Sequence, residues 1–150
     1  MTTIRHDVRA RCDVEHVWAL LADLTAVQSY NPTVLSAAFV GAQRTGVGAA
    51  RSCALRPKGR LVERVTHWEE ERALGLEVAE SPWPIRFMRW VTRLEPNGGG
   101  TTITQDLEYE PKYGPLGRLL DAVFLRPAIT RNVGAVLDEL VRHAEQGARG

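Results

Sequence analysis

Arg51 and Glu63 are the two residues whose types and separation suggest chemistry done together. Between them lies Pro57-Lys-Gly59, a hairpin signal, so two antiparallel strands would bring them side by side. If both side chains face inward, guanidinium and carboxylate form a charge-assisted pair, or together orient a carbonyl or phenol on a bound molecule. Buried charges need such a partner to offset the hydration they lose. The competing reading is a solvated or purely structural cross-strand pair. Strand phase decides between the two, because a slip of one residue reverses the face. His67 falls on the same nominal face as Glu63 and would supply an acid or base near neutral pH. His6, alternating with Ile4 and Val8, would also look inward. For both histidines a structural or exposed role is the plainer alternative.

Other chemistries find less footing. No His-x-Glu-x-x-His or Cys-x-x-Cys spacing occurs, and Cys12 and Cys53 lack a nearby histidine, so neither a zinc site nor a cofactor is expected. The Gly-rich segments do not have the spacing of a dinucleotide or phosphate loop. Two cysteines are too few for a disulfide scaffold, which points to a reduced, cytoplasmic setting. The formal charge is +1 with acids and bases interspersed, which gives no electrostatic case for nucleic acid. No apolar stretch approaches the roughly 20 residues of a membrane span. The polar start Met1-Thr-Thr-Ile-Arg-His-Asp7 does not read as a signal peptide. A length of 150 residues suits one domain, as a monomer or a homodimer.

The elements that must position these residues follow from periodicity. Ile4, His6, Val8 and Ala10 alternate with charged residues and predict a half-buried first strand. Asp13 offers a helix cap, behind which Val14, Val17, Trp18 and Leu21 share a face. A second short helix follows Asp23 and ends before Tyr30-Asn-Pro32. Strands are then predicted over 34–40, 49–55, 61–70, 74–80, 86–94 and 101–110. From Leu116 the period turns helical: Leu116, Leu119, Leu120, Val123 and Phe124, then Ile129, Val133, Val136, Leu137, Leu140 and Val141. Pro127 should interrupt this helix, since it has no N–H and crowds the preceding turn.

That order carries several local signatures: Val17-Trp18 with Leu21 and Asp23, Tyr30-Asn-Pro32, Gly46-Val-Gly48 leading to Arg51, Glu63, Gly98-Gly-Gly-Thr-Thr102, and Tyr109 through Leu120. With them the chain resembles the START/Bet v 1-like superfamily, of the polyketide cyclase/dehydrase and lipid-transport type, over about residues 3 to 145. The resemblance implies an α+β helix-grip fold. In it a seven-stranded antiparallel sheet wraps around a long C-terminal helix, two short helices follow the first strand, and ligand lies between helix and sheet.

Alternation by itself gives a compatible wall, with Leu74, Leu76 and Val78, then Met88, Trp90 and Thr92, then Ile103, Gln105 and Leu107 facing the helix. Val65, Leu120, Phe124 and Leu137 are expected to join them, and Tyr30 and Tyr113 to sit at the mouth with Trp83 between two prolines. Ordinary core packing is the bland account of any one of these. The leading function is binding a small hydrophobic or aromatic molecule, polycyclic or lipid-like, in an internal cavity. The alternative is a polyketide cyclase or dehydratase, in which Arg51 polarises a carbonyl while Glu63 or His67 moves the proton. A third is a protein-interaction module, for which no particular residue argues.

Overall fold

Strand β1 (Thr2–Ala10) leads into α1 (Val14–Ala22), a 3-10 turn (Leu24–Ala26) and the short α2 (Val27–Tyr30) in this computed structural model, which describes residues 1–149. Six further strands follow: β2 (Val34–Val40), β3 (Ala50–Leu55), β4 (Arg60–Glu69), β5 (Ala73–Glu80), β6 (Ile85–Asn97) and β7 (Gly100–Pro111). All seven form one antiparallel sheet in the order β1-β7-β6-β5-β4-β3-β2. Helices α3 (Gly114–Leu120) and α4 (Arg126–Arg149), joined by a π turn (Asp121–Leu125), make one long C-terminal helix against it. This is the α+β helix-grip arrangement that the element order implied.

Asp13 caps α1 as its position suggested, its side chain accepting from the His16 N–H at 3.3 Å. The helix buries Val17, Trp18 and Leu21. Trp18 meets Trp68 of β4 edge to face, with ring centroids 5.2 Å apart. Both indole N–H groups donate to Glu70, at 3.2 and 3.3 Å, which pins α1 to the β4–β5 turn. An edge-to-face aromatic pair adds about 0.5–1.5 kcal/mol to the area it buries.

Strand β4 does not keep a strict alternation. Its register against β5 shifts between Val65 and His67, so Thr66 and His67 both lie on the outer face before Trp68 turns back in. A bulge of one residue has this effect on every side chain beyond it. His67 therefore faces away from the helix, contrary to its expected inward phase, and sits half-exposed beside Glu69 at 3.4 Å.

The long helix departs from expectation in the same way. Its inward stripe is Gly117, Asp121, Leu125, Ile129, Val133 and Leu137, at regular steps of four. Such steps overshoot the 3.6-residue turn of an α-helix, and the wider π turn takes up part of the drift. There the Arg126 N–H reaches back five residues to the Asp121 carbonyl. Pro127, without an N–H of its own, follows the π turn directly, so the interruption foreseen at this point takes that form.

Asp121 fixes the phase. Buried, it accepts from Thr2 Oγ1 at 2.8 Å and from the hydroxyl of fully buried Tyr109. Leu116, Leu119, Leu120, Val123 and Phe124 consequently point outward, 41% to 68% exposed, where one continuous inward stripe had been expected. Phe124 and Val133 are nine residues apart, about half a turn out of phase on a helix.

Close approach, rather than backbone freedom, explains Gly117: a Cβ there would lie 1.6 Å from the Lys112 carbonyl oxygen. Gly134 lies over the His6 ring, where an added Cβ would meet Cε1 at an ordinary 3.6 Å. Gly117→Ala should therefore cost about 1–3 kcal/mol despite the better helix propensity of Ala, whereas Gly134→Ala should gain about 0.5–1 kcal/mol. Urea unfolding of the two variants checks the contrast, and equal effects would show that helix propensity alone governs both sites.

Candidate ligand-binding site

A cavity of about 350 Å³ lies between the sheet and the C-terminal helix. The sheet supplies Leu74 and Leu76 from β5, Met88, Trp90 and Thr92 from β6, and Gln105 and Leu107 from β7. These are alternate residues of neighbouring strands, so a single face provides the whole floor. The helix supplies the roof with Ile129, Val133, Val136, Leu137 and Leu140. Trp83 and Ile85, with Leu21, Val27 and Tyr30, complete its border.

The polar groups on this apolar wall fall into three sets. Arg51 and Glu63 face each other across β3 and β4, both buried, with Arg51 Nε donating to Glu63 Oε1 at 2.7 Å. Arg51 Nη1 also donates to the Leu24 carbonyl at 3.1 Å, tying the pair to the 3-10 turn. Burial works against the Arg51 charge, but the Glu63 carboxylate, its hydrogen bond, Tyr30 and Cys53 together outweigh it and hold the guanidinium above its ordinary range. Burial likewise pushes the Tyr30 phenol up, with Arg51 pulling the other way. A second set is Thr92 and Gln105, joined at 3.2 Å. The third runs from Asn31, whose Oδ1 accepts from the N–H and hydroxyl of Thr33 at 3.0 and 2.7 Å, to Asn132, which donates to Thr33 Oγ1 at 3.5 Å.

Of the residues singled out in the sequence, the structure brings Arg51, Glu63, Tyr30, Leu76, Met88, Trp90, Gln105 and Leu137 to this cavity. Tyr30 is buried inside it rather than standing at an open mouth. His67 is on the opposite face of the sheet and cannot share an acid–base task with Glu63. Val65 and Ile103 are fully buried in the core but do not line the cavity. Leu120, Phe124 and Tyr113 stand on the outer side of the helix, the last with a left-handed backbone (φ 72°) just before α3. Sequence reasoning left Asn31, Thr33, Leu125, Ala128 and Asn132 out of the site. Counting back in fours from Leu137 would have found Val133, Ile129 and Leu125.

A wider depression of about 930 Å³ lies on the outer face of the sheet, but charged side chains border it. Asp106 there is matched to Arg5 at 3.8 Å and Arg93 at 3.5 Å. Such a surface is charged and solvated. It gives an apolar molecule little to bury against.

Residues 1–145 match the family described as polyketide cyclase / dehydrase and lipid transport, and the chain belongs to it. Among solved structures it is similar to TTHA0849 from Thermus thermophilus, at 20% identity with a TM-score of 0.81, covering 98% of this chain and 99% of that one. It is also similar to Ara h 8.0201, at 14% identity and a TM-score of 0.77 over 95% and 97% of the two chains. A third likeness is to XoxI from Bacillus cereus, at 12% identity and 0.73, over 99% and 96%. At these identities the three speak for the fold alone. No curated protein sequence matches the chain.

Two outcomes follow from the polar end of the cavity. Arg51→Met should cost about 3–5 kcal/mol, because it strands a buried carboxylate, and adding Glu63→Gln should recover part of that loss. Strictly additive effects on unfolding would show that the two side chains do not depend on each other. Cys53, on the same strand as Arg51, gives a pH signature: burial, reinforced by Glu63, pushes its thiol up to about 11 from 9.0. The folded chain then holds a proton that the unfolded chain gives up. This contribution is fully present below pH 9.0 and is lost as pH rises through about 11. Cys53→Ala should flatten the decline of unfolding free energy across that window, and an unchanged slope would contradict the assignment.

Proposed function

We propose that the chain is a single ligand-binding domain spanning residues 1–150 that holds one small, compact hydrophobic molecule between its C-terminal helix and its sheet. The observation carrying this reading is the apolar wall of a cavity of about 350 Å³ with its polar groups gathered into a few stations. That volume is at the small end of the range for ligand pockets, about 300–1,000 Å³. It favours a few fused rings or one short chain over a two-chain lipid. Arg51 and Glu63 already satisfy each other, so their remaining capacity suits orienting a ligand carbonyl or phenol. Two buried free cysteines fit work in the reducing cytoplasm.

Catalysis of the cyclase or dehydratase kind is the second reading, favoured by one observation: Arg51 and Glu63 both border the cavity. Arg51 would polarise a carbonyl there, and Glu63 would have to leave its pair to move a proton. Binding ranks first because, with His67 on the outer face, no unpaired base near neutral pH lines the cavity among the described residues.

Native mass spectrometry of protein purified from its own host is the direct test, with a reproducible small apolar adduct expected. In parallel, N-phenyl-1-naphthylamine should brighten on binding, and Val136→Trp should weaken that binding about tenfold or more by filling the cavity. Probe binding indifferent to Val136→Trp, in a variant that unfolds like the parent, would place the apolar site elsewhere. Turnover of an offered poly-β-ketone, lost in Glu63→Gln while probe binding survives, would move the protein to the second reading.

A further inference from the structure

The outward stripe of the C-terminal helix is the feature that the cavity leaves unexplained. Leu116, Leu119, Leu120, Val123 and Phe124 lie within one stretch, and Tyr113 beside them is 64% exposed. Single exposed apolar residues are ordinary, but a contiguous run of large ones marks an interaction site. Only Gly117 and Asp121 are buried between Lys112 and Phe124. The segment thus rests on the body through two short contacts and turns the rest of its bulk to solvent.

The charges around this stripe indicate what covers it. From residue 112 to 131 the bases are Lys112, Arg118, Arg126 and Arg131, all exposed. The sole acid in that stretch is Asp121, buried and bonded to Thr2 and Tyr109. Along this stretch the exposed face is therefore apolar, and its own exposed charges are all cationic. Apolar side chains flanked by Lys and Arg suit a helix lying in the plane of a bilayer interface, its basic groups among anionic headgroups. A second copy fits less well. A two-fold dimer sets the same patch against itself, so the four cations of one protomer would face the four of the other.

A third observation ties this face to the cavity. An apolar notch of about 360 Å³ opens beside the stripe, bordered by Pro84, Pro111, Tyr113, Leu120 and Phe124. Leu125 and Ala128 line both this notch and the internal cavity. These two side chains belong to the walls of both spaces.

We propose that residues 112–126 form a docking surface for an anionic lipid bilayer, with Leu116, Leu119, Val123 and Phe124 entering the interface and Lys112, Arg118 and Arg126 contacting headgroups. Docking does not depend on what the cavity holds. It places the wall shared through Leu125 and Ala128 against the membrane, where a compact hydrophobic molecule would be dissolved.

The test is co-sedimentation with vesicles of phosphatidylcholine containing about 30% phosphatidylserine, compared with phosphatidylcholine alone. Binding is expected to the anionic vesicles and to fall steeply between about 0.05 and 0.5 M salt. The pair Leu119→Glu and Phe124→Glu should abolish it, and Arg118→Gln with Arg126→Gln should weaken it about tenfold or more. These side chains are exposed, so unchanged thermal unfolding of each variant confirms that the fold persists. Failure to bind anionic vesicles overturns the proposal, as does equal binding to both compositions or binding that survives Leu119→Glu with Phe124→Glu. A dimer in sedimentation equilibrium that these substitutions dissolve, without vesicle binding, overturns it in favour of a second copy.

Discussion

Asp121 accepts hydrogen bonds from Thr2 at the start of β1 and from Tyr109 near the end of β7, so one buried carboxylate joins the first strand, the last strand and the C-terminal helix. Removing that carboxylate would leave the Tyr109 hydroxyl without its partner in a buried setting, a cost of about 1–3 kcal/mol. Turning the helix about its axis meets the same penalty, because the carboxylate would leave both donors behind. Burial and the Asp121 bond both push the Tyr109 phenol well above its ordinary range, which keeps its proton available for the bond. With rotation fixed at this point, the residues after the π turn deliver Ile129, Val133 and Leu137 to the cavity roof, and those before it present Leu116, Leu119 and Val123 to solvent.

In the wall of the cavity the Arg51–Glu63 pair sets a different constraint. An ion pair inside a protein costs hydration that its own attraction only partly returns, so it is weak evidence for stability. What it supplies is position. Arg51 also reaches the Leu24 carbonyl, and that links β3 to the turn that carries α2 and Tyr30 to the cavity's edge. An apolar pair of similar shape would fill the space without fixing that turn or offering a ligand any direction.

Much of the architecture was legible because its signals are local. The β1 alternation, the Asp13 cap, the Pro57-Lys-Gly59 turn and the change of period after Tyr113 each announce one element, and their order defines the fold. The site was legible where strands run without interruption, as for Leu76, Met88, Trp90 and Gln105. His67 was misplaced because the bulge that precedes it has no distinctive residue, and one extra residue reverses the face. Leu120 and Phe124 were misplaced for a reason visible in the sequence. Two apolar stripes about half a turn apart meet around Pro127, and merging them concealed that only one can face the sheet. Val65 and Ile103 do face inward, but alternation gives the face of a strand and says nothing of where along it the packing opens.

The two stripes also bear on how a ligand would reach the cavity. A helix held by dense packing along its whole length would seal the space beneath it, and exchange would then require opening the sheet. Here the long helix is held tightly at Asp121 and again from Val133 through Ala144, while Leu125, Arg126, Pro127, Ala128 and Ile129 between them are at most partly buried. This intermediate stretch includes the end of the π turn and Pro127, where the ladder of α-helical hydrogen bonds is already interrupted. Local opening costs least where few contacts and few regular backbone bonds must break. By that criterion, opening the wall at Leu125 and Ala128 would cost less than opening it at Asp121 or Val133. An entry route through that stretch needs neither the ion pair nor the sheet to move.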